Sequence, residues 1–395
     1  MVLLRTCWYA ALTVSPQGTI IGQMKRLQFV AMLVCLLLVL PGCGFPAVPA
    51  SSEPPSPATS APAPVPSEPS PEAGLLTPPE PSTPTVQLPD VIGEVPKSTG
   101  LITRCFKWMY NGAEWSWDIK IPQSLYDYYK GIPRPPTQNY SVYVTHPWDD
   151  TVIGHLVSEV ERFAQSEGFS DFEKVEFTAA FVQSLPYTAD SVTTPYDEYP
   201  RYPLETLVDA GGDCEDTSIL LASLLNAMGY GVILVAFPRH CAAGVLCGEG
   251  TRGAFFEYGG GKYFYVETTN TGWGIGDIPE EYQGVKAYLY DMTPAPILTH
   301  AWTARGEGSV VKLEVTVQNL GSAGAYGVYV LAGFDAGEGV LWNAQQCLPF
   351  QLLINERITV TFSLDVPPGK HTRLVVQIID GGYAVDESYS EWIDT

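Results

Sequence analysis

Gly211-Gly212-Asp213-Cys214-Glu215-Asp216 stands directly before the mostly apolar run Ile219 to Met228, and Gly229 follows as a natural helix stop. Asp213 with Asp216 three residues later has the spacing of a capping box, which predicts a helix that begins at Cys214. A thiol in a first helical turn meets free backbone N–H groups and the positive end of the helix dipole, and both favour the thiolate. The acidic neighbours push the other way, so position alone leaves the reactivity open. A small buried cysteine that only packs is the plain alternative. The two glycines permit a close, irregular backbone just before the thiol.

Upstream of this segment, Asp149 to Gly168 carries Ile153, Leu156, Val157, Val160, Phe163 and Ala164 at helical spacing. Asp171 to Leu185 does the same with Phe172, Val175, Ala179 and Val182. Downstream, Val232 to Phe237, Ala242 to Leu246, Ala254 to Tyr258 and Tyr263 to Glu267 read as strands. Helices followed by strands predict an α+β domain over residues 98–295 with an antiparallel sheet. His240 stands just before the strand Ala242 to Leu246 and Glu267 ends the strand Tyr263 to Glu267, so both can converge with the helix start at one sheet edge. A histidine there can take the thiol proton, and a carboxylate can hold the imidazole tautomer. The chain has only five histidines, so a base in this position is not a trivial coincidence.

These ordered motifs resemble the transglutaminase-like superfamily in its prokaryotic secreted form. The resemblance is carried by GGDCED at 211–216 before an apolar helix, by His240-Cys241-Ala242-Ala243-Gly244-Val245, and by Tyr265-Val266-Glu267-Thr268-Thr269-Asn270. The stretches 181–187, 199–207 and 272–276 are similar to that group as well, so the match spans roughly residues 100–290. It implies a papain-related α+β fold with a Cys–His–acid triad. Cys214 matches the nucleophile and His240 the base. Glu267 stands where the superfamily more often has Asp. Gln183 is the candidate oxyanion donor, its plainer role being a helix-end polar group bonded to backbone. Trp273 is the candidate lining of a substrate groove, with Trp108, Trp115 and Trp117 behind it. Such tryptophans more often pack on a core.

The remaining chain reads as an address, a spacer and a second folded part. In residues 24–43, Lys25-Arg26 is followed by an apolar run from Leu27 to Leu40 and then by Pro41-Gly42-Cys43. That is the layout of a secretory signal, and the run is short for a membrane span. Leu40 to Cys43 resembles the lipobox of bacterial lipoproteins, which implies a lipid on Cys43; Pro41 departs from the usual residue. Residues 1–23 have no signal logic, and Met24 is the natural start. Residues 44–97 hold 16 prolines and no apolar periodicity, so they read as a disordered, semi-rigid linker. Residues 296–395 alternate strictly, as in Val311 to Val317 and Ile358 to Leu364, and read as an all-β, immunoglobulin-like sandwich.

Charge and cysteine usage narrow the chemistry. Beyond residue 42 the chain carries 18 basic and 43 acidic residues, a net of −25. So acidic a surface excludes nucleic acid as a natural partner and argues against unaided docking on anionic lipid. Cys214, His240, Cys241 and Cys247 lack zinc-knuckle spacing, and Asp213, Glu215 and Asp216 fit no EF-hand. No metal and no cofactor is therefore read. A strand over 241–247 would hold its two sulfurs about 20 Å apart, too far for a disulfide. The expectation is an exported, membrane-anchored lipoprotein on the outer face of the cell membrane. It would act through a thioester as an amide hydrolase, peptidase or acyltransferase on protein or cell-wall peptides. The alternative is a catalytically inactive binding module presented on a stalk. The partner of the C-terminal part is not legible.

Overall fold

The computed structural model describes residues 84–87, 90–91, 100–196 and 198–395, together with the strands Trp8–Val14 and Ile20–Arg26, which form a two-stranded ribbon. The apolar run 27–40, Cys43 and most of the proline-rich linker lie outside the described residues. From residue 84 onward the described chain belongs to one compact unit of mixed helix and antiparallel sheet, followed by a β-rich region. Among the described residues no helix is long and apolar enough to cross a membrane.

The capping box read at Asp213 is present: Asp213 N–H donates to Asp216 Oδ2 at 3.2 Å, and the helix runs Cys214–Ala227. Every residue from Glu215 to Leu225 is buried, so this is a central helix wrapped on all sides. The helices Asp150–Glu167, Asp171–Gln183 and Pro203–Asp209 and the strands Val232–Phe237 and His240–Leu246 surround it. Asp150–Glu167 buries Ile153, Leu156, Val160 and Ala164 along one stripe and stops at Gly168 in the left-handed region, φ +71°. Asp171–Gln183 starts in a reciprocal cap between Ser170 and Glu173.

The sheet is antiparallel throughout, in the order 288–291, 232–237, 240–246, 261–266, 255–258. Alternate residues fill two clusters. Leu234, Ala243, Val245, Phe264 and Val266 face the helices; Ile233, Val235, Phe237, Ala242 and Tyr265 pack on the other side. A long hairpin, Leu101–Tyr110 with Ala113–Pro122, joins the helical side. Its tip is Asn111-Gly112, both at positive φ, the pair that a tight hairpin turn demands. The hairpin sends Trp108 and Trp117 onto Phe181, each with ring centroids 5.2 Å away, and Trp115 onto Phe177 at 4.9 Å. Trp108 and Trp117 are therefore core and Trp115 packs against it, and none of the three lines the cavity at Cys214.

In the C-terminal region two antiparallel sheets enclose one apolar cluster that includes Val315, Phe334, Val360 and Ile378. His300 fastens them: its Nδ1 meets Asp386 Oδ2 at 2.6 Å and its Nε2 meets Ser388 Oγ at 2.6 Å, from the outer strand of one sheet to that of the other. The border with the preceding layer is packed, with Leu320 in the helical core and Thr145 Oγ1 2.7 Å from Ser322 Oγ. Within the stretch read as a linker, Thr85–Val86 and Asp90–Val91 lie as strands along Glu356–Asp365. That part is sheet edge, because Val86 is spaced to add an apolar residue opposite Val360. The described cysteines all carry free thiols, including Cys241 and Cys247.

A chain beginning at residue 83 should therefore melt above one beginning at residue 100. The paired edge amounts to about 1 kcal/mol of apolar burial and sheet pairing, or roughly 1–2 °C for a chain of this size. Scanning calorimetry on the two chains measures it, and equal midpoints would show that residues 85–91 add nothing.

Candidate active site

The strand register determines which groups can meet. A turn through Arg239, at φ +69°, reverses the chain between Phe237 and His240, so His240 is the first residue of its strand. The neighbouring strand ends at Val266, opposite Ala243, and Glu267 follows directly. Both residues thus sit at the same end of the sheet, where the central helix begins. The chain around 186–188 is drawn in by Gly212: Thr188 N–H donates to Gly212 O at 2.9 Å and Gly212 N–H to Pro186 O at 3.3 Å. A side chain at Gly212 would put its Cβ 2.5 Å from the Asp216 carboxylate, so only glycine fits there. The result is a cavity of about 300 Å³ lined by Cys214, His240, Glu267, Trp273, Tyr187 and the 279–282 segment.

Glu267 is 2% exposed and saturated with donors. Its Oε1 accepts from the backbone N–H of Thr268 and Thr269, both at 3.0 Å, and from the Thr269 hydroxyl at 2.7 Å. Its Oε2 accepts from the Tyr265 hydroxyl at 2.6 Å and from His240 Nε2 at 3.2 Å. Burial pushes the carboxyl up, but hydrogen bonds from His240, Tyr265 and Thr269 outweigh it and bring it down to about 2. The carboxylate is therefore ionised at neutral pH and holds the proton of His240 on Nε2. That leaves Nδ1 as the basic nitrogen. A tyrosine ring lies on the imidazole: Tyr282 is parallel to it within 7°, with centroids 4.5 Å apart.

At Cys214 the two influences weighed in the sequence come out in favour of the thiol. Its Sγ donates to Glu215 Oε2 at 3.2 Å rather than to His240. Burial, and after it the Glu215 charge, pushes the thiol well above its ordinary range. Burial also pushes Glu215 up to about 10, with the Asp213 charge adding to it, and burial raises Asp213. The Asp213–Glu215 pair accordingly carries a proton at neutral pH. The dipole acts only through a first turn whose donors are partly used by its cap, whereas desolvation acts on the whole anion.

Gln183 does not fit the oxyanion role. Both of its amide hydrogens are taken, by Glu267 O at 2.9 Å and Trp273 O at 3.0 Å. It ties the Glu267 loop to the Trp273 loop and reaches the site through backbone. Trp273 does line the cavity. Sequence reasoning missed Tyr265, Tyr282, Tyr187 and Arg239. Tyr265 had a readable signal, since two residues before Glu267 on a strand it shares the same face.

Behind the thiol lies an acidic layer. Asp190, Asp213 and Glu215 bring carboxylate oxygens within 4.8 Å of one another, and these are the described residues that could hold a cation. Arg201, 1% exposed, is the counter-charge beneath them: it pairs with Asp216, with Asp190 at 3.0 Å and with Asp209 at 3.3 Å.

Two outcomes follow. Arg201→Met strands Asp190 and Asp216 without their cation and should cost about 3–5 kcal/mol in urea unfolding. Because Glu267 is depressed from 4.5 to about 2, its stabilisation is complete above pH 4.5 and is lost as pH falls toward 2. Glu267→Gln should remove that acid-side loss of stability, on the order of 2–3 kcal/mol, from a denaturation series run between pH 6 and pH 2. An unchanged series would show the carboxylate to be unperturbed.

No family model matches the chain, and no curated protein matches it. Among solved structures it is similar to the CARDB domain of a Pyrococcus furiosus protein, solved in complex with di-metal ions. The identity is 18%, over 24% of this chain and 88% of that one, at a TM-score of 0.19. So slight a likeness carries no argument about fold or site.

Proposed function

We propose that the protein is a cysteine-dependent acyl-transfer enzyme of the transglutaminase-like kind, with a papain-related core and an immunoglobulin-like C-terminal domain. One observation carries this reading: Cys214, His240 and Glu267 open into a single cavity, with the imidazole anchored through Nε2 and its other nitrogen without a hydrogen bond among the described residues. Free imidazole nitrogen, thiol and buried carboxylate are the parts that nucleophilic catalysis needs.

In the cycle, the Cys214 proton leaves Glu215 for His240 Nδ1 as sulfur attacks a substrate carbonyl carbon. Glu267 stabilises the imidazolium that forms. The tetrahedral oxyanion is met by orphan N–H groups of the first helical turn, Cys214's own among them, since Gln183 is spent on backbone. The amine leaves with the proton from His240, and a thioester remains. Water activated by the same nitrogen releases the acid; an amine in its place gives transfer. Hydrolysis is the favoured outcome, because nothing among the described residues forms a second, water-excluding acceptor site. The substrates are amides of protein or cell-wall peptides. The enzyme is exported and tethered through a lipid on Cys43, with no cofactor.

A second reading has one observation in its favour. The thiol is protonated and bonded to Glu215, as a non-catalytic binding module on a stalk would leave it. Iodoacetamide separates the two. Under the enzymatic reading Cys214 alkylates faster than Cys105, although Cys105 is exposed.

Cys214→Ala should abolish acyl-adduct formation while leaving the fold, and His240→Ala should lose most turnover. Glu267→Gln should lower turnover roughly 10² to 10⁴-fold. Mass spectrometry after incubation with a peptide-amide library locates the adduct. Full activity in Cys214→Ala would end the enzymatic reading.

A further inference from the structure

The hydrogen bonds of His240 fix one nitrogen and leave the ring free to swing about it. His240 opens its strand after a left-handed turn, with the cavity on one side. Its Nε2 is held by Glu267 Oε2 and by the Tyr265 hydroxyl, each at 3.2 Å. Neither contact sets the plane of the imidazole, so neither determines whether Nδ1 points at the thiol. A flat surface against the ring does. Tyr282 supplies it, 4.5 Å away and parallel within 7°, while Phe237 lies beside both rings, 4.9 Å from Tyr282 and a looser 6.3 Å from His240 at 23°.

Tyr282 belongs to a short turn outside the sheet. The turn is closed by its own backbone bonds, Tyr282 N–H to Pro279 O at 3.0 Å and Val285 N–H to Tyr282 O at 3.2 Å. Among the described residues the Tyr282 hydroxyl makes no hydrogen bond, so the contact belongs to the ring. The other charged groups at this wall are Arg239, Glu280 and Glu281, which line the cavity with it.

We propose that Tyr282 is a positioning residue: its ring holds the plane of His240 so that one nitrogen stays on Glu267 while the other faces Cys214. It also shields the Glu267–His240 pair from water on the cavity side and offers a π face to the imidazolium formed in turnover. The effect on turnover rests on the acyl-transfer reading, but the geometry does not.

The test uses the full chain and 4-nitrophenyl acetate as a neutral acyl probe. In wild type the expected course is a burst of one acetyl per Cys214 followed by slow turnover. Tyr282→Leu should keep the burst amplitude and lower steady-state turnover roughly 3- to 30-fold. Tyr282→Phe should recover most of that loss, because it restores the ring without the hydroxyl. In protein labelled with ¹⁵N-histidine, the Nε2–H signal of His240 should be visible in wild type and Tyr282→Phe. In Tyr282→Leu it should be lost to exchange. Tyr282→Met serves as the ring-less variant if the leucine protein does not fold. Undiminished turnover with a retained Nε2–H signal in a ring-less variant would overturn the proposal. A phenylalanine variant as impaired as the leucine one would overturn it too, by assigning the effect to the hydroxyl. A wild type without a burst would defeat the acyl-transfer reading instead, and the Nε2–H signal alone would then decide the role of Tyr282.

Discussion

The carboxylate of Asp216 is fully buried and holds three pieces of chain at once. It accepts from the Asp213 N–H, which starts the central helix. It accepts from the Arg201 N–H at 2.7 Å and pairs with the Arg201 guanidinium, which brings in the loop before Pro203. Its approach leaves room only for glycine at 212, and the Gly212 backbone draws in residues 186–188. The cavity wall at Tyr187, the position of Cys214 and the buried arginine all follow from this one group. Its desolvation is tolerable because a guanidinium and two backbone donors surround it.

The same acidic environment bears on the proposed thiol chemistry. A helix start ordinarily favours a thiolate, yet Cys214 is half-buried among carboxyls, and its hydrogen bond goes to Glu215. In the proposed acyl transfer the thiol proton passes to His240 during attack rather than leaving the sulfur beforehand. The pair proposed to accept it is polarised the other way. Glu267 has five donors around it and stays ionised, so the imidazole has a ready counter-charge at Nε2.

Much of this was readable from residues alone. The capping pair Asp213 and Asp216 marks the start of the central helix, and the runs 232–237, 242–246 and 263–267 mark strands of the sheet that brings His240 and Glu267 to one end, because each signal is local. The hairpin at 101–122 is not legible in the sequence, but the core role of its tryptophans, the commoner of the two weighed, is the one that their Phe177 and Phe181 partners give them. Gln183 takes the plainer of its two roles, a helix-end amide on backbone, and a side-chain amide has the same sequence signature whether it faces a substrate or two carbonyls. Tyr282 carried no signal, since a ring on a short turn meets His240 only through the sheet's tertiary path. The pairing of Val86 with Val360 was hidden by the prolines around it.

The strands at 85–86 and 90–91 give the molecule a direction for mechanical force. A pull on the chain from its N-terminal side enters along Glu356–Asp365, antiparallel to it, before it reaches the Leu101–Tyr110 hairpin. Tension is first spent in shear between neighbouring strands of the C-terminal region. The layer that holds Cys214 and His240 lies further along the chain and feels the load only after that contact has slipped.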